Sequence, residues 1–171
     1  YAYTANGELK SNTNATGPTT YAYDNLGNLL KAALPDGRVM EYIIDGAGRR
    51  IGKKVDGAIT KGFLYEGSLR IAAELDATGA MVSRFVYATG VNVPEYMVRG
   101  GATYRIVTDH LGSVRMVVDV ATGAVAQEMQ YDAFGNITSD TNPGFTPFGF
   151  AGGLYDTDTR LTRFGARDYD A

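Results

Sequence analysis

Apolar and polar residues alternate along this chain in short bursts, each cut off by turn-forming residues. In Val114 to Asp119 the period of two places Val114, Met116 and Val118 on one face of a strand and Arg115, Val117 and Asp119 on the other. Asp109 and Gly112 punctuate the chain before this burst, and Thr122-Gly123 after it. The same punctuation recurs. "YTANGEL" (Tyr3 to Leu9), "YDNLGNL" (Tyr23 to Leu29), "IDGAGRRI" (Ile44 to Ile51) and "YDAFGNI" (Tyr131 to Ile137) share one plan: a large residue, usually Asp or Thr, two variable residues, Gly, a polar residue, then an apolar one. The third places arginine where the apolar residue belongs.

Aligned on their leading residue, Tyr3, Tyr23, Ile44, Tyr65, Tyr87, Thr108 and Tyr131 follow one another in steps of 20, 21, 21, 22, 21 and 23, and Tyr155 continues the series without its Gly. Asp or Asn bonds its own backbone two residues on and Gly reaches positive φ without a Cβ penalty, so each unit reads as a hairpin turn. Further turns lie midway between units, at Pro35-Asp36-Gly37 and Asp76-Ala77-Thr78-Gly79. Each period therefore holds two strands and two turns. Stacked periods predict an all-β fold of antiparallel β-hairpin repeats in one elongated, twisted sheet, with the tyrosines laddered between neighbouring units. The segment Asn142 to Gly153, with two Pro and three Phe, breaks the rhythm and reads as a loop whose rings plug the apolar face.

Composition agrees with this picture. The 171 residues include 22 Gly and 12 Tyr but neither Cys nor Trp, so packing and strand pairing carry stability without disulfides or thiolate metal sites. Sixteen Lys and Arg against 19 Asp and Glu are interspersed, leaving a net charge of -3 and no basic block to follow a phosphate backbone. Nucleic acid is not an expected partner. Apolar runs fall far short of the ~20 residues of a membrane-spanning helix, and no membrane partner is expected. The chain begins with Tyr, inside a repeat, and is expected to be a piece of a longer polypeptide.

The candidate chemistry is thin. His110 beside Asp109 suggests half of a catalytic pair, but it is the lone His and falls at a variable turn position. Asp156 with Asp158, and Asp168 with Asp170, are carboxylates at i and i+2 that suit hydrolysis or calcium only if something fixes their separation; ion pairs of Arg160, Arg163 and Arg167 with Asp156, Asp158 and Asp168 across adjacent strands are the expected arrangement. "GAGRRIG" from Gly46 to Gly52 has the wrong spacing for a dinucleotide loop. Asn14 and Asn136 match the glycosylation pattern and are expected in exposed turns. No catalytic, cofactor-binding or metal-binding residue is assigned, no cofactor is expected, and the chain is expected not to be an enzyme.

The Tyr-Asp-x-x-Gly-Asn-Leu units resemble the YD repeats of the Rhs family. "DHLGSVRMVVD", "YDAFGN", "FGFAGGLYD" and "TRFGARDYD" follow in the order of the Rhs repeat-associated core region of polymorphic toxins and toxin-complex shell proteins. The resemblance covers residues 1 to 171 and divides them into YD-repeat hairpins (1–107) and core-like C-terminal repeats (108–171) continuous with the same sheet. It implies a secreted bacterial shell segment that encapsulates a C-terminal toxin domain for interbacterial competition. The implied partners are the remainder of the shell, its toxin domain and, in some systems, a type VI secretion spike protein with its chaperone. The family's downstream self-cleavage motif has no counterpart here, so autoproteolysis is not carried over. Two other readings stand beside this one: a carbohydrate- or protein-binding repeat module of adhesin or teneurin-like type, which requires a row of exposed Tyr rings, and a hydrolase built on residues 156 to 170, which requires two carboxylates facing across a pocket.

Overall fold

The computed structural model describes residues 1–90 and 92–171. Fourteen strands run in strict chain order through one antiparallel sheet. They are β1 (Ala2–Tyr3), β2 (Leu9–Asn14), β3 (Gly17–Tyr23), β4 (Leu29–Ala33), β5 (Val39–Ile44), β6 (Arg50–Val55), β7 (Ala58–Glu66), β8 (Arg70–Asp76), β9 (Met81–Val86), β10 (Tyr96–Arg99), β11 (Ala102–Thr108), β12 (Val114–Asp119), β13 (Val125–Tyr131) and β14 (Ile137–Asp140). The remaining chain forms a single 3-10 turn at Phe150–Gly152 and the strands β15 (Leu154–Tyr155), β16 (Thr162–Phe164) and β17 (Arg167–Tyr169), which pair in a separate small sheet. One continuous sheet is thus not what residues 108–171 build. Pro143 and Pro147 lack the N–H that would extend the ladder beyond β14. From Asn142 the chain instead turns back as a strap over the sheet.

Four of the repeat turns are made by the aspartate that follows the leading residue. Oδ1 of Asp24 accepts the N–H groups of Leu26 and Asn28, at 2.8 and 2.9 Å, while the Asp24 N–H donates to the Asn28 carbonyl and that of Gly27 to the Asp24 carbonyl. The same set recurs at Asp45, Asp109 and Asp132. Glycine is indispensable at Gly135, where φ is 98° and a Cβ would lie 2.5 Å from the Phe150 ring.

Directly after each of these turns the second strand carries one extra residue. Tyr23 faces Leu29 but Ala22 faces Lys31; Ile44 faces Arg50 but Ile43 faces Gly52; Thr108 faces Val114 but Val107 faces Met116. The bulge reverses the parity of the strand. The expected face of Val114, Met116 and Val118 is therefore replaced by one holding Val114 and Val117, both fully buried. Equivalent inward pairs are Leu29 with Ala32, Arg50 with Lys53, and Ile71 with Glu74.

The sheet is rolled. From β2 to β13 there are eleven strand spacings, roughly 50 Å if the sheet were flat. Yet Asp170 accepts a hydrogen bond from Asn12 on β2, while the adjacent Tyr169 donates to the Phe134 carbonyl beyond β13. Both ends of the sheet thus meet the end of the strap. Its first half is apolar: Phe148 packs edge-on against Phe85 at 4.9 Å and Phe145 against Tyr104 at 5.1 Å, within a cluster that includes Phe63, Ile71, Met97, Ile106 and Met129. A second cluster joins Leu29, Ala32, Met40 and Tyr42 to Leu161 of the strap.

Tyrosines pack between strands in the middle of the sheet. The Tyr65 hydroxyl donates to the Arg50 carbonyl and that of Tyr87 to the Ile71 carbonyl, each at 3.1 Å, under the guanidinium groups of Arg49 and Arg70. Burial pushes the Tyr87 phenol up to about 12, so it remains a donor at neutral pH. Tyr3 stands outside this ladder, 62% exposed at the end of the sheet.

The turn carboxylates set the acid sensitivity. Asp24, Asp45 and Asp132 are each held below their ordinary value of 3.8, first by side-chain bonds from Asn28, Arg49 and Asn136 and also by backbone N–H donors. A depressed folded pKa contributes stability that is complete above 3.8 and is lost as pH falls through the folded value. Acid titration followed by circular dichroism is expected to loosen the fold only below that value, and the combined D24N, D45N and D132N variant to show a shallower slope there. An unchanged slope would refute the role of these turns.

Candidate functional site

Three of the sequence-predicted acids, Asp156, Asp158 and Asp168, converge on the inner face of the roll. On β6, the parity reversal points Arg50 and Lys53 inward, where both are buried. Lys53 Nζ reaches Asp156 Oδ1 and Asp158 Oδ2, each at 2.6 Å. The Tyr42 hydroxyl donates to Asp156 Oδ2 at 2.8 Å. Burial works against ionisation of Asp156, but the Lys53 ammonium and the Tyr42 hydroxyl outweigh it and hold this carboxyl below its ordinary value. Asp158 is shared between Lys53 and Arg38 Nη1.

A second knot lies beside the first. Asp168 accepts from Arg50 Nη2 at 2.8 Å and from Arg163 Nη1 at 3.0 Å, and Arg163 Nη2 donates to Asn28 Oδ1 and the Gly48 carbonyl. Arg50 also lies 3.5 Å above the centre of the Tyr42 ring. Three elements far apart in sequence, the β3–β4 turn, β6 and the β16–β17 hairpin, are thereby tied together.

The expected arginine partners are corrected in part. Arg163 and Asp168 do face one another across β16 and β17. Asp156 and Asp158 instead take Lys53 of β6 and Arg38 of the β4–β5 turn, while Arg160 and Arg167 point to solvent. Lys53 carried no signal in the sequence because only the bulge places it inside. Asp156 and Asp158 do not face each other across a cavity; an ammonium group sits between them. Asp170 stands apart from Asp168 and bonds Asn12. His110 is exposed in the turn before β12, and Asp109 spends its oxygens on the N–H groups of Leu111 and Ser113 and on Arg115. Asn14 and Asn136 are exposed, the first as the last residue of β2, paired with Gly17 and so not in a turn, and the second in the turn before β14. Chemically, the charged cluster is a fastener: it holds the strap to the sheet.

A profile described as Teneurin YD-shell matches residues 1–171. The chain belongs to this family. Teneurin-1 of Mus musculus is 31% identical over 159 residues, spanning 90% of this chain and 6% of the teneurin. The tRNA3(Ser)-specific nuclease WapA of Bacillus spizizenii is 29% identical over 168 residues, 95% of this chain and 7% of its own length. Among solved structures, the Photorhabdus luminescens Tc holotoxin pore carrying the TccC3-D651A mutation superposes with a TM-score of 0.67 at 17% identity, covering 98% of this chain and 9% of that one. The TcdB2-TccC3 crystal structure gives 0.59 at 16% identity, covering 88% and 8%. The YD-shell chain thus spans less than a tenth of these relatives. Their structures establish the shared shell fold. Among the described residues of the YD-shell segment, no helix is long and apolar enough to cross a membrane.

Removing the Lys53 charge isolates a buried carboxylate, a change that costs about 3–5 kcal/mol. Urea denaturation followed by tyrosine fluorescence is expected to show a loss of that order in Lys53→Met. The Lys53→Met, Asp156→Asn double variant is expected to recover much of it, since no buried charge is stranded. A loss below about 1 kcal/mol, the level of an exposed pair, would contradict a fastening role.

Proposed function

We propose that this chain is the closing end of a YD shell whose work is mechanical: it walls off a C-terminal toxin domain of the same polypeptide before delivery, without catalysis of its own. In this reading residues 1–107 supply repeat hairpins and residues 108–171 the core-like end. The partners are the rest of the shell, the toxin domain and, where a type VI route is used, a spike protein and its chaperone. The setting is a secreted bacterial protein acting in competition between cells.

The observation that carries this reading is the strap sealed into the roll. Phe148, Leu154, Asp156, Leu161 and Arg163 are all buried against strands from β4 to β13, so the end of the segment is closed from within. A surface built to bind carbohydrate or protein through tyrosine needs a row of free rings. Here Tyr65, Tyr87 and Tyr131 lie half-buried under Arg49, Arg70 and Arg115. Packed rings support a wall over a receptor.

In the full-length polypeptide, a protease-sensitive reporter placed downstream of the segment is expected to survive protease in the parent. Its cleavage is expected to become fast in the Lys53→Met variant, which unfastens the strap. Equal cleavage rates in parent and variant would overturn the enclosing role.

A further inference from the structure

A cavity of about 320 Å³ opens between the β7–β8 turn and the β16 region of the strap. Its interior is apolar, formed by Ile71, Phe148 and Leu154, all buried. Leu69 and Phe164 also line it, at 56% and 39% exposure. Volumes of about 300 Å³ and above are those that hold small ligands or single side chains. The charged residues that line it are both cationic, Arg49 and Arg163, with no acid among the described lining residues.

The two arginines are not equivalent. Arg49 is matched by Asp45 at 2.6 Å. Arg163 shares the Asp168 carboxylate with Arg50, so two buried guanidinium groups divide one directly bonded carboxylate, and Asp24 acts on Arg163 only through space. Its Nη atoms are committed to Asp168, Asn28 and the Gly48 carbonyl, while its buried Nε finds no acceptor. Burial, and then the Arg50 charge beside it, pull the Arg163 guanidinium below its ordinary value. An unmatched buried donor next to an excess of positive charge is costly until an anion approaches it.

We propose that this cavity receives a peptide segment bearing an aromatic or aliphatic side chain next to a carboxylate. The side chain fills the apolar interior and the carboxylate offsets the positive charge of Arg163. A peptide fits better than a free small acid because apolar surface continues outward over Leu69 and Phe164, which a small acid would leave bare. The inference is independent of the enclosing role, since it concerns a cavity within this segment alone.

The test is titration of the chain with fluorescently tagged acetyl-Phe-Asp-amide, its Asn counterpart, and 3-phenylpropionate as competitor. A charge-assisted contact is expected to make the Asp peptide bind at least about tenfold tighter than the Asn peptide, with the preference shrinking as salt rises. Replacing Arg163 would also break the Asp168 knot, so the variant of choice is Leu69→Glu, which adds a negative charge at an exposed lining position. It is expected to weaken the Asp peptide by about tenfold or more through like-charge repulsion. Equal binding of the Asp and Asn peptides, absence of saturable binding, or indifference to Leu69→Glu would overturn the proposal. So would tighter binding of 3-phenylpropionate than of the peptide, which would reassign the cavity to a small acid.

Discussion

A single extra residue after most of the repeat turns governs this molecule. A bulge bends its strand and adds right-handed twist. Repeated at β3–β4, β5–β6, β7–β8, β11–β12 and β13–β14, it accounts for a fourteen-stranded meander that rolls up and does not extend as a ribbon. The same residue decides which side chains enter the roll. Without it Arg50 and Ile51 would keep ordinary alternation with Lys53 and Lys54, and the inward pair of β6 would not be Arg50 with Lys53. The acidic strap has a place to go because the bulge turned two cations inward.

The strap completes what the bulges begin. A rolled sheet has an inner face that must be covered, and its apolar part takes Phe145, Phe148 and Leu154 while its charged part takes Asp156, Asp158 and Asp168. Contacts from Asn12 through Phe134 converge on two consecutive residues, Tyr169 and Asp170. The strap therefore works as filling and as tie, and the shell fold shared with the Tc toxin structures is held here from the inside.

Much of this was legible in the sequence. Local chemistry announces itself: the Asp and Gly of each turn gave the hairpins and their spacing, and the crowded Phe and Pro of 142–153 marked the departure from the sheet. What stayed hidden is non-local or a matter of one residue. A bulge inserts a residue without changing the Asp-x-x-Gly pattern, so simple alternation put Val114 with Met116 and missed Val117. Asp156 found Lys53, 103 residues away, because proximity across a rolled sheet has no local signature. The acids themselves were visible, and the cations that hold them were not. Nothing in periodicity alone separates Arg163, buried against its β17 neighbour, from exposed Arg160 and Arg167.

Buried ion pairs are a poor way to gain stability, since well-packed apolar residues of similar volume often serve as well. Their value here follows from repetition. A strap lying across near-identical repeats risks docking one unit out of place, because every unit offers similar shape and apolar surface. The inward pairs break that degeneracy: Leu29 with Ala32 and Val114 with Val117 are apolar, Ile71 with Glu74 presents an acid, and Arg50 with Lys53 presents two cations. An acidic strap shifted toward β8 would meet Glu74, which already occupies the cations Lys61 and Arg99, and shifted toward β4 it would bury carboxylates against Leu29 and Ala32. Both displacements strand or repel charge in a poorly solvated interior, which costs more than the matched pair contributes. The charges select one register where hydrophobic contact alone would allow several, and only in that register does the end of the strap reach both Asn12 and Phe134 and close the roll.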